Sequence, residues 1–275
     1  MLGAIIGDIV GSVYEFDNIK TKSFPLFASY KSYTDDSILA IATADWLLHG
    51  GNPEDYYFKY AIKYDQPMGG YGSRFWNWVE EGKSGKRLVP YYSCGNGSAM
   101  RIAPVGWLSS KVPFRSEKLV LDYSKKSAEC THNHPEGIKG AQATALCIYL
   151  ARKGTPPMII RKSIESKFGY DLSLDVDEIR SRYSWGGLDN EGNGGTCQGS
   201  VPQAIICALE ANDFEDAIRN AISIGGDSDT IGCITGGISE ALYGIPEHIR
   251  REGMSFLSDE LKLIVDEFEG KYGAK

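Results

Sequence analysis

The spacing of apolar residues predicts helices along most of the chain. Between residues 36 and 49, the apolar positions recur three or four residues apart and form one broad stripe: Ile38, Leu39, Ala42, Trp46 and Leu47. The segment 53–64 begins with a proline at a first-turn position and two acidic residues, which is a favourable helix start. The same periodicity predicts helices at 117–130, 136–152, 156–167, 198–211, 214–224, 229–243 and 255–269.

The connecting segments favour one domain. Alternating runs typical of strands are missing at any useful length, so we predict an all-α fold with about a dozen helices in one layered bundle. Glycine-rich stretches separate the helices at 68–72, 82–85, 93–98 and 186–195. None of these is long enough or simple enough in composition to be a domain linker. We therefore treat residues 1–275 as a single domain.

Glycines recur at helical spacing near both ends of the chain. Gly3, Gly7 and Gly11 stand four residues apart, and Gly232 and Gly236 repeat that spacing. Glycine inside a helix costs about 1 kcal/mol relative to alanine, so the repeats need a reason. One interpretation is tight core packing. The other is that these two helices approach closely and bring their ends into one site.

Composition narrows the class of protein. The formal net charge of -7 argues against a general binder of nucleic-acid phosphates. The 6 cysteines form no CxxC pair, and several lie in apolar helical runs, which favours buried thiols in a reducing compartment over disulfides or a zinc site. The apolar N-terminus lacks a basic segment, and no run reaches the ~18 apolar residues of a membrane span. We expect a cytoplasmic protein.

Two acidic clusters are the strongest candidates for chemistry. Residues 33–37 read Tyr-Thr-Asp-Asp-Ser and residues 225–230 read Gly-Gly-Asp-Ser-Asp-Thr, each directly before an apolar helix. A helix N-cap would explain one such acid. Two adjacent carboxylates repel, and a bound cation relieves that repulsion. Because all the available ligands are oxygens, the clusters favour Mg²⁺, Mn²⁺ or Ca²⁺ over zinc, either in separate sites or in one shared site.

Further candidates lie in the middle of the chain. The loop 93–98 offers consecutive backbone N–H groups with little side-chain bulk, as an anion-binding loop or as a plain turn. Arg101 would serve either a phosphate or a structural ion pair. His132 and His134 are candidates for ligand contact or for helix entry. One of several aromatic residues near the site in sequence would stack on an adenine: Tyr14, Phe16, Tyr71, Tyr91 or Tyr92.

Six motifs in order resemble the ADP-ribosylglycohydrolase family, which includes the dinitrogenase reductase-activating glycohydrolases and the ADP-ribosyl-acceptor hydrolases. They span nearly the whole chain: Gly7-Asp8 with Gly11-Ser12 and Glu15; Tyr33-Thr34-Asp35-Asp36; Gly95-Asn96-Gly97-Ser98-Ala99-Met100-Arg101; Thr131-His132 with Pro135-Glu136; Ser200-Val201-Pro202-Gln203-Ala204; and Gly225-Gly226-Asp227-Ser228-Asp229-Thr230. Each motif is short, and their shared order carries the resemblance.

The resemblance implies an all-α fold with two central Mg²⁺ ions, which Mn²⁺ could replace. It implies these metal ligands: Glu15, Thr34, Asp35, Asp36, Asp227, Asp229 and Thr230. Glu15 would sit on a mobile loop that closes the site. The substrate's diphosphate and distal ribose would bind the loop Ser93, Cys94, Gly95, Asn96, Gly97 and Ser98, with His132 touching the ligand. For catalysis we expect Glu15 as the first choice of proton acceptor or donor, with Asp35 and Asp36 as further candidates.

The implied activity is hydrolysis of the glycosidic bond between ADP-ribose and an acceptor. The acceptor would be a protein arginine, with serine or O-acetyl-ADP-ribose as alternatives, and possible acids at the rim of the site are Glu80, Glu81, Asp189 and Glu191. Two other classes stay open at this point. A non-catalytic ADP-ribose-binding relative should have lost metal ligands, and a metal-dependent nucleotide phosphohydrolase would release AMP or phosphate. A monomer is compatible with the composition, which does not define the oligomeric state.

Overall fold

Helices account for most of the computed structural model, which describes residues 1–28, 30–108 and 116–273. Within these ranges there are fourteen α-helices: α1 (Leu2–Gly11), α2 (Asp35–His49), α3 (Pro53–Lys63), α4 (Ser73–Lys83), α5 (Gly97–Met100), α6 (Ser116–Glu129), α7 (Pro135–Arg152), α8 (Pro157–Phe168), α9 (Val176–Arg182), α10 (Cys197–Leu209), α11 (Phe214–Ser223), α12 (Ser228–Tyr243), α13 (Glu247–Ser255) and α14 (Asp259–Tyr272). A 3₁₀ turn covers Ala103–Trp107, and β1 (Tyr183–Ser184) pairs antiparallel with β2 (Gly187–Leu188). The all-α prediction is confirmed. None of the helices in the described ranges is both long and apolar enough to cross a bilayer.

Most predicted helices agree with the structure to within one or two residues, but the segment 255–269 does not form one helix. It contains the end of α13 and most of α14. Ser258 interrupts it because its side chain accepts a hydrogen bond from the Leu261 N–H and so begins a new helix. The predicted glycine-rich separator at 82–85 also starts inside the last turn of α4.

The core is built around two helices from opposite ends of the chain. Every residue of α1 is buried, and so is the first three-quarters of α12. The helices run antiparallel, so that Gly3 faces Gly236, Gly7 faces Gly232 and Gly11 faces the start of α12. A side chain on any of these three α1 glycines would collide with the backbone of α12. The second interpretation of the glycine repeats, close approach with ends brought together, is therefore confirmed.

Further helices pack on this pair and hold the ends of α1 and α12 in place. Helix α12 also contacts α7, α10 and α11, while α2 packs on α1 and α3. Because α1 and α12 are antiparallel, the C-terminus of α1 lies beside the N-terminus of α12. The N-terminus of α2 joins them there, since Asp8 of α1 hydrogen-bonds to Thr34 and Ser37. Three helix ends thus meet at one place.

Candidate active site

A cleft of about 370 Å³ opens where these helix ends meet. Glu15 from the segment after α1 lines it, together with four aspartates and one threonine of the two clusters: Asp35, Asp36, Asp227, Asp229 and Thr230. One wall consists of Glu15 and the adjoining loop 69–72, and another consists of Ser93, Gly95, Asn96, Gly97 and His132. Residues nearly 200 positions apart in the chain therefore share one cavity, as the joint-site interpretation required.

The acids are close enough to act together. One carboxylate oxygen each from Glu15, Asp227 and Asp229 lie within 4.8 Å of one another. Among the residues that the structure describes, the buried Oδ1 atom of Asp36 has no hydrogen-bond partner. A buried carboxylate oxygen without a donor is costly unless a cation or a ligand completes it. The donor set is entirely oxygen, which fits a hard divalent ion.

Burial and mutual repulsion disfavour ionisation of this cluster. Burial raises the pKa of Asp35 and Asp36 well above the usual range, and the charges of neighbouring carboxylates raise it further. The pKa of Asp229 is raised for the same reasons, with Asp227 as the main charged neighbour. Burial followed by the charges of Asp227 and Asp8 raises the pKa of Glu15 to about 7. A bound cation would offset the repulsion between these carboxylates and favour their ionised forms.

Asp8 positions the first cluster, and its role was not assigned from the sequence. It is fully buried, accepts hydrogen bonds from the Thr34 N–H at 3.0 Å and hydroxyl at 2.7 Å, and is also bonded by the Ser37 N–H at 3.1 Å. The Thr34 oxygen in turn accepts from the Asp36 N–H at 3.2 Å as the N-cap of α2. Thr34 is thus held behind the cleft wall rather than in its lining, and its role as a metal ligand stays a prediction.

The segment after α1 is tied to the second cluster. Asn18 accepts from the Gly226 N–H at 2.7 Å and donates to the Gly226 carbonyl at 2.9 Å. Lys20 donates to the Ile224 and Tyr183 carbonyls, both at 2.5 Å. Glu15 lies in this segment with its carboxylate beside Gly69, where a Cβ would stand 2.9 Å from Glu15 Oε2. The absence of a side chain at position 69 leaves the Glu15 carboxylate its space.

The loop 93–98 divides into two functions. Ser93, Gly95, Asn96 and Gly97 line the cleft. Asn96 Nδ2 donates to Asp227 Oδ2 at 2.7 Å, which joins the loop to the second acidic cluster. Two further loop residues do not line the cavity. Ser98 is fully buried and donates to the Gly137 carbonyl at 2.7 Å, and the Cys94 carbonyl accepts from the Cys197 N–H at 2.9 Å.

His132 lies at the cleft and is connected to Arg101. Its Nδ1 is 2.8 Å from the Thr131 hydroxyl, and its Nε2 faces Gly95 and Gly97. Arg101 is fully buried, donates to Thr131 Oγ1 at 2.7 Å and stacks 4.0 Å from the centre of the Tyr57 ring. Burial first, and then the charges of Arg101 and Arg74, lower the pKa of His132 well below its usual value. His134 instead caps α7 by accepting from the Glu136 N–H.

Some of the aromatic residues named from the sequence line the cleft, whereas the acids named as rim residues do not. Tyr71 and Tyr91 line the cleft, whereas Tyr14 packs in the core against Phe24. Trp185, which sequence reasoning missed, lines the cleft from the β1–β2 turn. None of the proposed rim acids lines the cleft. Three of them pair with nearby cations instead: Glu80 with Lys83, Glu81 with Lys86 and Asp189 with Arg182.

The sequence profile described as ADP-ribosylglycohydrolase matches residues 1–274. The chain belongs to the ADP-ribosylglycohydrolase family. It is accordingly a glycohydrolase that acts on glycosidic bonds of ADP-ribose, as the sequence resemblance implied.

Individual relatives of this glycohydrolase support that placement. ADP-ribosylhydrolase ARH3 of Danio rerio is 28% identical over 89% of this chain and 82% of the relative. ADP-ribosylarginine hydrolase Tri1 of Pseudomonas putida (strain GB-1) is 24% identical over 93% of this chain and 73% of its own length. A solved structure titled ADP-ribosylglycohydrolase-related protein complex has the same fold, with a TM-score of 0.64 at 22% identity over 97% of this chain and 96% of that one.

Proposed function

We propose that this glycohydrolase is Mg²⁺-dependent and releases ADP-ribose from arginine side chains of modified proteins. The observation that carries the proposal is the meeting of five carboxylates, drawn from both ends of the chain, in one cleft: Glu15, Asp35, Asp36, Asp227 and Asp229. Burial and mutual repulsion disfavour the ionised forms of these acids unless a cation is bound. An acidic cleft also suits an acceptor that carries a positive charge.

The donor set fits Mg²⁺, with Mn²⁺ as a substitute. The residues that would hold two ions are those implied by the family: Glu15, Thr34, Asp35, Asp36, Asp227, Asp229 and Thr230. The buried and unpartnered Asp36 Oδ1 is the atom most in need of such a ligand. When bound, Mg²⁺ supplies positive charge that orients sugar hydroxyls and lowers the pKa of a water molecule.

Glu15 is suited to moving the proton. It is half-buried and, unlike the aspartates, lies on the segment that Asn18 and Lys20 hold in place. In the proposed reaction, a water oxygen bonds to the anomeric carbon of the distal ribose while the bond from that carbon to the acceptor nitrogen breaks. Glu15 accepts the proton that the water loses and passes a proton to the departing arginine nitrogen, which returns Glu15 to its ionised form. The products are ADP-ribose and unmodified arginine.

The opposite wall is suited to the diphosphate. Ser93, Gly95, Asn96 and Gly97 present a polar backbone with little side-chain bulk. Arg74 and Arg101 line the same cavity and place positive charge around Tyr91 and His132. Positive charge at one wall and carboxylates at the other would orient an ADP-ribose conjugate with its phosphates away from the acidic cluster.

Arginine as the acceptor rests on charge. An ADP-ribosylated guanidinium stays cationic, whereas ADP-ribosyl-serine and O-acetyl-ADP-ribose bring no positive charge to the acids. The relative Tri1 bears the name ADP-ribosylarginine hydrolase, which agrees with this choice. These observations favour arginine over the two neutral acceptors.

A product assay tests the proposal directly. The purified chain is incubated with ADP-ribosyl-arginine, ADP-ribosyl-serine and O-acetyl-ADP-ribose, with Mg²⁺ or with a chelator, and free ADP-ribose is measured. We expect release to be fastest from the arginine conjugate and lost with the chelator. Release of AMP or phosphate would favour a phosphohydrolase, and faster release from a neutral conjugate would overturn the acceptor.

The metal ligands are tested separately by calorimetry. Titration of Mg²⁺ into Asp229→Asn should show greatly weakened binding relative to the unmodified chain, and Asp35→Asn should behave alike. The exposed Asp177→Asn, on α9 and outside the cleft, serves as the matched control. Unchanged Mg²⁺ affinity in both cleft variants would remove these aspartates from the ligand set.

A further inference from the structure

Two exposed aromatic rings stand together at the mouth of the cleft. Phe16 is 77% exposed and Trp185 is 39% exposed. Their ring centroids are 5.9 Å apart and their planes differ by only 7°, so the rings are stacked. A single exposed apolar side chain is ordinary, but an ordered aromatic pair beside a reactive cleft suggests a contact surface.

The pair is fixed next to the acidic end of the cleft. Phe16 directly follows Glu15, and Trp185 occupies the turn between β1 and β2. The Trp185 indole N–H donates to the Glu15 carbonyl at 2.5 Å, which couples the turn to the Glu15 segment. Trp185 also lines the cleft together with Asp227 and Asp229. A group bound at the acidic cluster therefore shares its cavity with the Trp185 ring.

The charges around the two rings favour a cationic partner. Carboxylates, including Asp227 and Asp229, line the cleft together with Trp185. The arginines that line the cleft in the described residues are Arg74 and Arg101, and they stack on Tyr91 and Tyr57 instead. A guanidinium is planar and weakly hydrated, and it stacks well on an indole face. A serine hydroxyl or an acetyl group has neither property.

We propose that Phe16 and Trp185 form an aromatic platform that recognises the guanidinium of the ADP-ribosylated arginine and so selects the acceptor. The inference rests on the proposed function, because it assigns the acceptor end of the same site. The platform contributes to specificity and touches the departing group, while proton transfer remains with Glu15.

The test compares substitutions at position 185 on two substrates. Trp185→Ala and Trp185→Leu should lower kcat/KM for ADP-ribosyl-arginine about tenfold, and leave kcat/KM for ADP-ribosyl-serine within about twofold. Trp185→Phe keeps an aromatic face but loses the N–H, so it should retain most of the preference for arginine. Phe16→Leu should give a smaller loss in the same direction.

The controls separate recognition from folding and from positioning. Tyr30→Ala removes another exposed aromatic ring, 68% exposed and outside the cleft lining, and should change neither substrate. Thermal melting checks that all variants fold. An equal loss on both substrates, shared by Trp185→Phe, would overturn the platform, since it would show that Trp185 only holds the Glu15 carbonyl.

A failure of the proposed function gives a different result. If the unmodified chain does not cleave the arginine conjugate, the proposed acceptor is wrong, and the uncleaved conjugate becomes a calorimetric ligand. The platform is then supported if the unmodified chain binds this conjugate more tightly than ADP-ribose and Trp185→Ala binds both equally. Equal affinities in the unmodified chain would overturn it.

Discussion

At the scale of single residues, the site depends on groups whose charge is set by their neighbours. Glu15 differs from the four aspartates of the cleft because it lies on a segment between helices rather than at a helix end. His132 differs from an ordinary histidine because burial and two arginines disfavour its charged form. These two residues therefore have roles that can be separated experimentally.

Replacing Glu15 with glutamine should affect chemistry more than binding. Glutamine keeps the size of the side chain and cannot accept a proton, so we expect Glu15→Gln to lower kcat at least about 100-fold. The dissociation constant for ADP-ribose, measured by calorimetry, should change only a few-fold. The exposed Glu191→Gln, outside the cleft, is the matched control and should leave kcat unchanged. Near-normal turnover of Glu15→Gln would assign the proton transfer to another group.

His132 should act as a neutral hydrogen-bond donor. The Arg101 guanidinium only donates, so Thr131 Oγ1 accepts from it, and we expect the Thr131 hydroxyl to donate its own proton to His132 Nδ1. The proton of the neutral ring then lies on Nε2, which faces the cleft. Nitrogen-15 NMR should show this tautomer at pH 7, with no titration of His132 near pH 6.5.

Substitutions at positions 131 and 132 provide the controls for the NMR experiment. The chain has 4 histidines, and the spectrum of His132→Asn identifies the signal to be followed. Thr131→Val should shift the balance between the two tautomers, and Thr131→Ser should restore it. A charged ring at pH 7, or a ring protonated on Nδ1 alone, would refute the connection through Thr131.

At the scale of helices, periodicity and capping were enough to predict most of the fold. The stripe at residues 36–49 and the segment 136–152 became α2 and α7 almost unchanged. Helix α9 was missed although Asp175 and Glu178 form a capping box, a signal that the sequence contains. Helix α4 was missed because Gly82 suggested a separator between helices. In the structure, Gly82 lies inside the helix, and its missing side chain leaves room for the Phe58 ring and Leu88.

The candidate site was predictable only in part, because local sequence signals do not reveal contacts between residues far apart in the chain. The acidic clusters are local motifs, so the sequence reveals them. The contacts that bring them together join residues far apart in the chain, such as Asn96 with Asp227. Trp185 had no local signal, since a tryptophan in a glycine-rich stretch is compatible with many environments. Its significance comes only from its position beside Glu15.

The glycine contacts between α1 and α12 give a prediction at this scale. Gly7→Ala places a methyl group against the Gly232 backbone, so the helices must separate. We expect the free energy of unfolding to fall by about 1–3 kcal/mol in urea titrations, even though alanine favours helix. Gly270→Ala in α14 meets no atom within 4 Å and should instead raise stability by up to about 1 kcal/mol. Equal effects of the two substitutions would contradict the close approach.

At the scale of the whole molecule, the antiparallel α1–α12 pair links stability to the proposed cofactor. The close packing of α1 on α12 ends at the acidic cleft. A ligand that binds only the folded state stabilises it by mass action. Mg²⁺ should therefore stabilise the entire fold, not only the loops of the cleft.

This stabilisation should depend on pH with a definite sign. In the metal-free protein the pKa values of Asp8 and Glu15 are raised to about 6 and 7, and those of Asp35, Asp36 and Asp229 are also raised. The folded state thus binds more protons than the unfolded state, so this contribution to stability is present at low pH and is lost as pH rises toward 8. Mg²⁺ competes with those protons and should stabilise more at pH 8 than at pH 5.5.

The measurement is the difference in Tm with Mg²⁺ and with a chelator at each pH. Taking the difference cancels groups that do not line the cleft, such as Lys31, whose pKa is lowered mainly by burial. At an Mg²⁺ concentration about 100-fold above Kd, a single site adds about 2.7 kcal/mol, which corresponds to roughly 5–10 °C in a chain of this size. Asp229→Asn should lose most of the increment. Because only ions bound among ionised carboxylates follow this pH dependence, an increment independent of pH would place the Mg²⁺ effect outside the acidic cleft.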